Sequence, residues 1–176
     1  MNRLLLVLIF YLFSFSLCFS QSLNVKQLPE KEYQALVDIY NQLNGSNWSG
    51  SNSWKKWDIS ENNLHEIPWS GVTVENGHVT GLSLYYFYNV KGKLPESIKN
   101  LEYLNYLSLS SYYIEKDFQG TDWSILSGLK NLESLYLYGS KISGPIPESW
   151  GELQKLKYLD VGKSKVTQLN STIGNM

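Results

Sequence analysis

Apolar residues along this chain fall in a spacing that repeats. Between Leu101 and Val166 the pattern L-x-x-L-x-x-L-x-L is written three times, as Leu101, Leu104, Leu107, Leu109, then Leu129, Leu132, Leu135, Leu137, then Leu153, Leu156, Leu159, Val161. Equivalent leucines are 28 (135 − 107) and 24 (159 − 135) positions apart, and a looser copy holding Leu82 and Leu84 lies 25 (107 − 82) positions earlier. In L-x-L two leucines share one face of a strand, because side chains alternate with a period of two. A unit this short cannot bury its apolar face alone. The pattern therefore predicts about four stacked units, each pairing a short parallel strand with the next.

Ahead of the repeats the period changes. Tyr33, Leu36, Val37, Tyr40 and Leu43 stand at i, i+3, i+4, i+7 and i+10, which predicts an amphipathic helix over Leu28 to Gly45. Pro29 suits its first turn, Glu30 and Glu32 complement the positive end of its dipole, and Gly45 supplies a stop. Its expected task is to cover the end of the core. Asn44 to Asn63 is polar but carries Trp48, Trp54 and Trp57. Rings in such a loop anchor it to an apolar surface, with sugar stacking as the alternative. Asn76-Gly77, between Val72–Val74 and Val79, predicts a hairpin.

These residues resemble a known family. Glu32, Ala35, Leu36, Ile39 and Tyr40, then Trp48, then Trp69, Gly71, Val72 and Val74 ahead of the first L-x-L, look like the N-terminal cap of plant-type and related bacterial leucine-rich-repeat proteins. Gly144-Pro145-Ile146-Pro147 with Trp150, Gly151 and Leu153 is similar to the family's G-x-I-P-x-x-L-G-x-L segment, and Gly92-Lys93-Leu94-Pro95 with Ile98 and Leu101 is a second copy. The resemblance covers roughly Leu28 to the end. It implies an α/β fold: a right-handed leucine-rich-repeat solenoid with short parallel strands on the concave face and an N-terminal helical cap. The cap of plant members carries paired cysteines; here it must hold by packing alone.

Three departures qualify the match. The repeat from Leu101 lacks G-x-I-P and has Asp117 to Leu129 instead, read as a short convex helix capped by Asp122, with Trp123, Leu126 and Leu129 inward. Tyr112, Ser140 and Ser164 replace the ladder asparagine of the family, so local irregularity is expected where asparagine would satisfy backbone groups. The last unit, Val166 to Gly174, lacks the G-x-I-P spacing.

The first 20 residues read differently. Arg3 precedes an apolar run, Leu4 to Phe19, and small residues lie three and one before Gln21. This is a secretory signal peptide, cut after Ser20. The run is short for a membrane span, and Leu17 is large for a lipoprotein signal at Cys18. The expected organisation is a signal peptide over 1–20, a cap over 21–78, and about four repeats over 79–176, truncated at the C-terminal end. Such an open end predicts further repeats or self-association there.

Cleavage removes the single cysteine and Arg3, the only arginine, leaving 14 lysines (15 − 1) against 16 acids, a formal charge of −2. A secreted chain without cysteine has no disulfide framework. Near-neutral charge without arginine argues against nucleic acid. No later apolar run predicts a membrane span. His65 and His78 are far apart and lack H-x-x-x-H spacing, so no metal site is expected. Glu115, Asp117 and Asp122 read as a solvated acidic loop, with a weak calcium site as the alternative, against which the missing ligand spacing of a calcium loop speaks. No P-loop, G-x-S-x-G or dinucleotide motif is present, so neither a cofactor nor catalysis is expected. Asn44, Asn47 and Asn170 stand in sequons, read as chance matches because the leader and the cysteine-free cap look bacterial.

What remains is a surface. In x-L-x-L-x the x positions point away from the core: Gly81, Ser83, Tyr85; Tyr106, Ser108, Ser110; Ser134, Tyr136, Tyr138; Tyr158, Asp160, Gly162. Rigid amphipathic rings beside small hydroxyls are the composition of a recognition surface. The candidate ligand-binding residues are Tyr85, Tyr106, Ser108, Tyr136, Tyr138, Tyr158 and Asp160. Cross-strand stacking that only stiffens the sheet is the competing reading. The expected function is an exported module, secreted or at the cell surface, that binds a protein or peptide, with a glycan possible. It would form the N-terminal part of an adhesin or receptor. The alternatives are an accessory domain of a larger secreted enzyme or a carbohydrate-binding module.

Overall fold

The computed structural model describes residues 28–50, 57–59, 69–111 and 116–169. The leader at 1–20, Trp54, His65, Tyr112, Glu115, Asn170 and the end of the last unit lie outside the described residues. Helix α1 spans Glu30–Gln42 and is followed by a one-turn 3-10 helix at Gly45–Asn47. Short strands come next: β1 (Ser49–Gly50), β2 (Val72–Glu75), β3 (His78–Ser83), β4 (Phe87–Tyr88) and β5 (Tyr106–Ser108). After them lie β6 (Ser134–Tyr136), β7 (Ser143–Pro145), β8 (Tyr158–Asp160) and β9 (Lys165–Gln168).

The leucine spacing becomes a ladder. One sheet runs in the order β2-β3-β5-β6-β8, and every pairing after the β2–β3 hairpin is parallel. Leu82, Leu107, Leu135 and Leu159 pair in register, although the intervening arcs differ in length. Leu82, Leu107 and Leu135 have no exposed surface, and Leu159 at the end of the row is half-buried. Short 3-10 turns return the chain on the opposite side. Those at Glu96–Asn100 and Glu148–Glu152 start after Pro95 and Pro147, whose fixed φ sets the entry. The turn at Trp123–Gly128 starts after Asp122, whose carboxylate accepts from Ser124 N at 3.0 Å, as the sequence predicts. Leu126 and Leu129 are fully buried, and Trp123 packs at the margin of the core. The Trp150 indole N–H donates to Trp123 O at 2.7 Å, tying these two arcs together.

The cap holds by rings. Trp57 stacks on Trp69 at 4.9 Å, Trp48 meets Trp57 edge-on at 5.2 Å and Phe87 at 5.1 Å, and Tyr40 packs against both Trp48 and Trp57. Trp48 and Trp57 are 8% and 4% exposed, and their N–H groups reach Leu43 O and Ser70 O. The loop tryptophans therefore anchor the loop, and these two offer no platform to a sugar. The buried face of α1 is wider than the stripe read from sequence. Ala35, Leu36, Ile39 and Leu43 are fully buried, while Tyr33, Val37 and Tyr40 lie at its margin. The reason is that α1 packs on the cap rings with one side and on the turn Glu96–Asn100 with the other.

Two local expectations change. The residue that ends α1 in the left-handed conformation is Asn44 (φ 65°), not Gly45. Gly45 is needed for a different reason: a Cβ there would sit 2.2 Å from the ring of Tyr40. Glu32 is the second. It is fully buried, accepting from Val79 N at 2.8 Å and facing His78 Nδ1 at 2.7 Å, so it clips the helix to the hairpin. The hairpin turn itself is as read, with Asn76 and Gly77 both at positive φ.

Candidate functional site

The solvent-facing side of the five-stranded sheet is built from two in-register rows. One is Gly81, Tyr106, Ser134, Tyr158, and the other is Ser83, Ser108, Tyr136, Asp160. Tyrosines thus alternate between rows on successive strands. Tyr106 and Tyr136 meet diagonally, with centroids 5.5 Å apart and planes tilted by 43°. Tyr158, on the last strand of the sheet, is 61% exposed, and Tyr106 is 39% exposed. Strands in a sheet lie about 4.8 Å apart, so Tyr106 to Tyr158 spans roughly 10 Å across the strands.

Ser108 departs from expectation. It occupies the predicted face but is only 2% exposed. Tyr106 lies two residues before it and Tyr136 in register opposite, so this short side chain stands between two larger ones. Asp160 faces outward beside Tyr136, and its Oδ1 accepts from Gly162 N at 2.8 Å, so part of its carboxylate shapes its own turn.

Tyr85 and Tyr138 are not strand residues. β3 ends at Ser83 and β6 at Tyr136, so the third outward position of each unit falls in the following turn. Tyr85 meets Tyr86 edge-on at 4.9 Å, and Tyr86 is 62% exposed, an aromatic that the alternation did not single out because it belongs to a turn. Tyr138 lies beneath Lys163 Nζ, 5.4 Å from the ring centroid. At the other end of the strands Tyr103 is 48% exposed and stacks on His78 at 3.8 Å. The face therefore carries a central strip of Tyr106, Tyr136, Tyr158 and Asp160, with further rings at its margins. The diagonal Tyr106–Tyr136 pair is the stiffening contact of the competing reading, while the exposure of Tyr158 leaves a ring face for a partner.

Beneath the strip, polar groups at the turns are satisfied by unlike residues. The Ser140 hydroxyl, fully buried, donates to Leu137 O at 2.6 Å. One unit earlier Lys116, 2% exposed, donates its ammonium to Ser110 O at 2.9 Å and to Leu84 O. Burial pushes its pKa from the ordinary 10.5 down to about 7. A lysine thus bridges carbonyls of two consecutive units, a task the resemblance assigns to asparagine.

Comparison with known proteins agrees with this architecture. A family model described as Leucine Rich Repeat matches residues 131–153. Receptor-like protein EIX1 of Solanum lycopersicum is 30% identical over 175 residues, covering 89% of this chain and 16% of that protein. The chain spans 16% and 12% of the lengths of the curated relatives it matches. Among solved structures, the LRR ectodomain of the receptor kinase SOBIR1 from Arabidopsis thaliana superposes with a TM-score of 0.60 at 21% identity, over 85% of this chain and 75% of that one. A leucine-rich repeat protein from Bacteroides thetaiotaomicron gives 0.61 at 16% identity, over 83% and 29%. With its leucines stacked in register across four parallel strands and these likenesses beside them, the chain folds as a leucine-rich-repeat solenoid.

Proposed function

We propose that the chain is an exported recognition module, secreted or held at the cell surface, that binds a protein or peptide on the concave strand face. The observation that carries this is the central strip: Tyr158 is 61% exposed beside the Tyr106–Tyr136 pair, with Asp160 in register with Tyr136. Aromatic rings with few rotors supply contact area at low ordering cost, and one carboxylate adds a charge preference. The outward rows hold tyrosine, serine, glycine and a single aspartate, without the paired acid and base that hydrolysis or proton transfer uses, which favours binding over catalysis. The receptor-like relatives, of whose lengths this chain spans 16% and 12%, support a recognition role. Among the described residues no helix is long and apolar enough to cross a membrane.

The test is a binding screen of the wild-type chain against a peptide library and a glycan array. It is repeated with Tyr136→Ala, Tyr158→Ala and, as a control on the opposite side, Lys155→Ala. A peptide hit weakened by both tyrosine variants and untouched by the lysine variant supports the reading. A glycan hit with the same dependence moves the proposal to the carbohydrate-binding alternative. Equal affinity in all four proteins removes the site from this face.

A further inference from the structure

Asp160 is the only charged residue in the two outward rows of the tyrosine sheet. It is half-buried, and Gly162 N donates to its Oδ1 at 2.8 Å, which fixes the carboxylate and leaves Oδ2 for another donor. The turn is too close for any other residue at 162: a Cβ there would come 3.0 Å from Oδ1 and 2.6 Å from the ring of Tyr138. Among the described residues Asp160 takes part in no ion pair.

The lysines of the same unit are directed to other groups. Lys157 Nζ reaches Glu133 Oε2 at 2.8 Å, Lys155 Nζ reaches Asn131 Oδ1 at 2.6 Å, and Lys163 Nζ stands over the ring of Tyr138. Lys165 belongs to β9, which pairs with β7 and not with the tyrosine sheet. The stretches 112–115 and 170–176, outside the described residues, contain no lysine or arginine in sequence, and the first of them adds a glutamate. The outward face thus offers a fixed negative charge to a partner.

Two rings stand beside that charge. Tyr136 is in register with Asp160 on β6. Tyr158 lies two residues before it on the same strand, hence on the same face, about 6.6 Å away along the chain. Tyr158 is 61% exposed, and among the described residues no further strand follows β8 in the sheet to cover its ring. A π-face and a fixed carboxylate at that separation suit a cation that lies on the one and donates to the other. A guanidinium does both, being planar, weakly hydrated and rimmed with N–H donors, whereas an ammonium is a compact, strongly hydrated point charge. Taking this face as the peptide-binding surface proposed above, we propose that Tyr158 and Asp160 form a subsite for an arginine side chain of the partner peptide, so that the module selects basic over neutral or acidic segments.

The experiment follows the backbone amide resonances of the isotope-labelled chain while tetra-arginine, tetra-citrulline, tetra-lysine or tetraglutamate is added. Citrulline keeps the shape of arginine without its charge. Tetra-arginine is expected to shift the amides of β6 and β8 and to bind about tenfold more tightly than tetra-citrulline, with affinity falling as salt rises. Tetra-lysine should bind more weakly than tetra-arginine, and tetraglutamate should leave these strands unchanged. Asp160→Asn keeps an acceptor for Gly162 N and should weaken tetra-arginine about tenfold. Glu96→Gln, which removes an exposed acid from a turn on the opposite side, should not weaken it. The citrulline comparison uses the wild-type chain, so it stands even where Asp160→Asn disturbs folding. Equal binding of tetra-arginine and tetra-citrulline on β6 and β8, undiminished binding by Asp160→Asn, or tetra-lysine bound as tightly as tetra-arginine would each overturn the arginine subsite while leaving the peptide face in place. Tetra-arginine that shifts only amides away from β6 and β8 would also overturn it, and the tyrosine variants in the library screen then decide the face separately.

Discussion

Two neighbouring arcs of this solenoid do the same work on one side and different work on the other. The arc from Leu137 to Leu156 follows the repeat formula: Gly144, Ile146 and Pro147 lead into a turn that buries Trp150 and Leu153. The arc from Leu109 to Leu132 discards the formula. It starts from a buried lysine, is held to the preceding unit by Gly92 N donating to Asp117 O at 2.8 Å, and opens its turn with Asp122 where its neighbours use proline. Both nonetheless deliver their leucines to the ladder in register. The difference teaches that L-x-L alone secures stacking, because the strands carry the inter-unit bonds and the inward leucines carry the burial. The connecting arc is then free to vary, and this chain uses that freedom for Lys116.

The comparison breaks most severely if the ladder is cut. Leu107→Ala, entering the irregular arc, and Leu135→Ala, entering the regular one, should each cost roughly 2–5 kcal/mol in denaturant unfolding, since both leucines are fully buried. A loss well under about 1 kcal/mol at both would mean the core lies elsewhere.

Lys116 sharpens the contrast next. Its folded pKa of about 7 lies below the ordinary 10.5, so between those values the unfolded chain holds a proton that the folded chain does not. Stability from this group therefore rises as pH increases from about 7 to about 10.5, and is flat below that window. Lys116→Met should flatten this rise relative to wild type. It should also cost about 1–3 kcal/mol near neutral pH by orphaning Leu84 O and Ser110 O. Identical pH profiles for the two proteins would show that the amine is solvated.

The smallest effect is expected at the arc's entry. Hydrogen bonding from Ser124, side chain and backbone, holds the Asp122 carboxyl below the usual carboxylate range. Its contribution is present above that range and is lost as pH falls through the depressed value. Asp122→Ala should lower the melting temperature by much less than either leucine variant, and the difference from wild type should vanish in acid. A loss matching the leucines would make the cap a core element.

The ladder, the cap helix, the Asn76-Gly77 turn and the Asp122 cap were all legible, because each rests on spacing or turn chemistry within a few residues. The wider face of α1 was not, since Ala35 and Ile39 are buried by two partners that the helix period alone cannot reveal. No local pattern announces the burial of Lys116, whose partners are carbonyls of two other turns. Likewise the alternation placed Tyr106, Tyr136, Tyr158 and Asp160 on the outer face, but it could not show that three-residue strands would leave Tyr85 and Tyr138 in turns. Nor could it show that Ser108 would be buried.

The central claim is that leucines hold this chain together while outward tyrosines recognise a partner. It is tested most directly by measuring melting temperature and affinity for the strongest peptide hit on the same samples of wild type, Tyr136→Ala and Tyr158→Ala. Each tyrosine variant is expected to lose on the order of 2 kcal/mol of affinity with melting nearly unchanged. Melting that falls while affinity holds would contradict it, and would leave the tyrosines as a brace for the sheet.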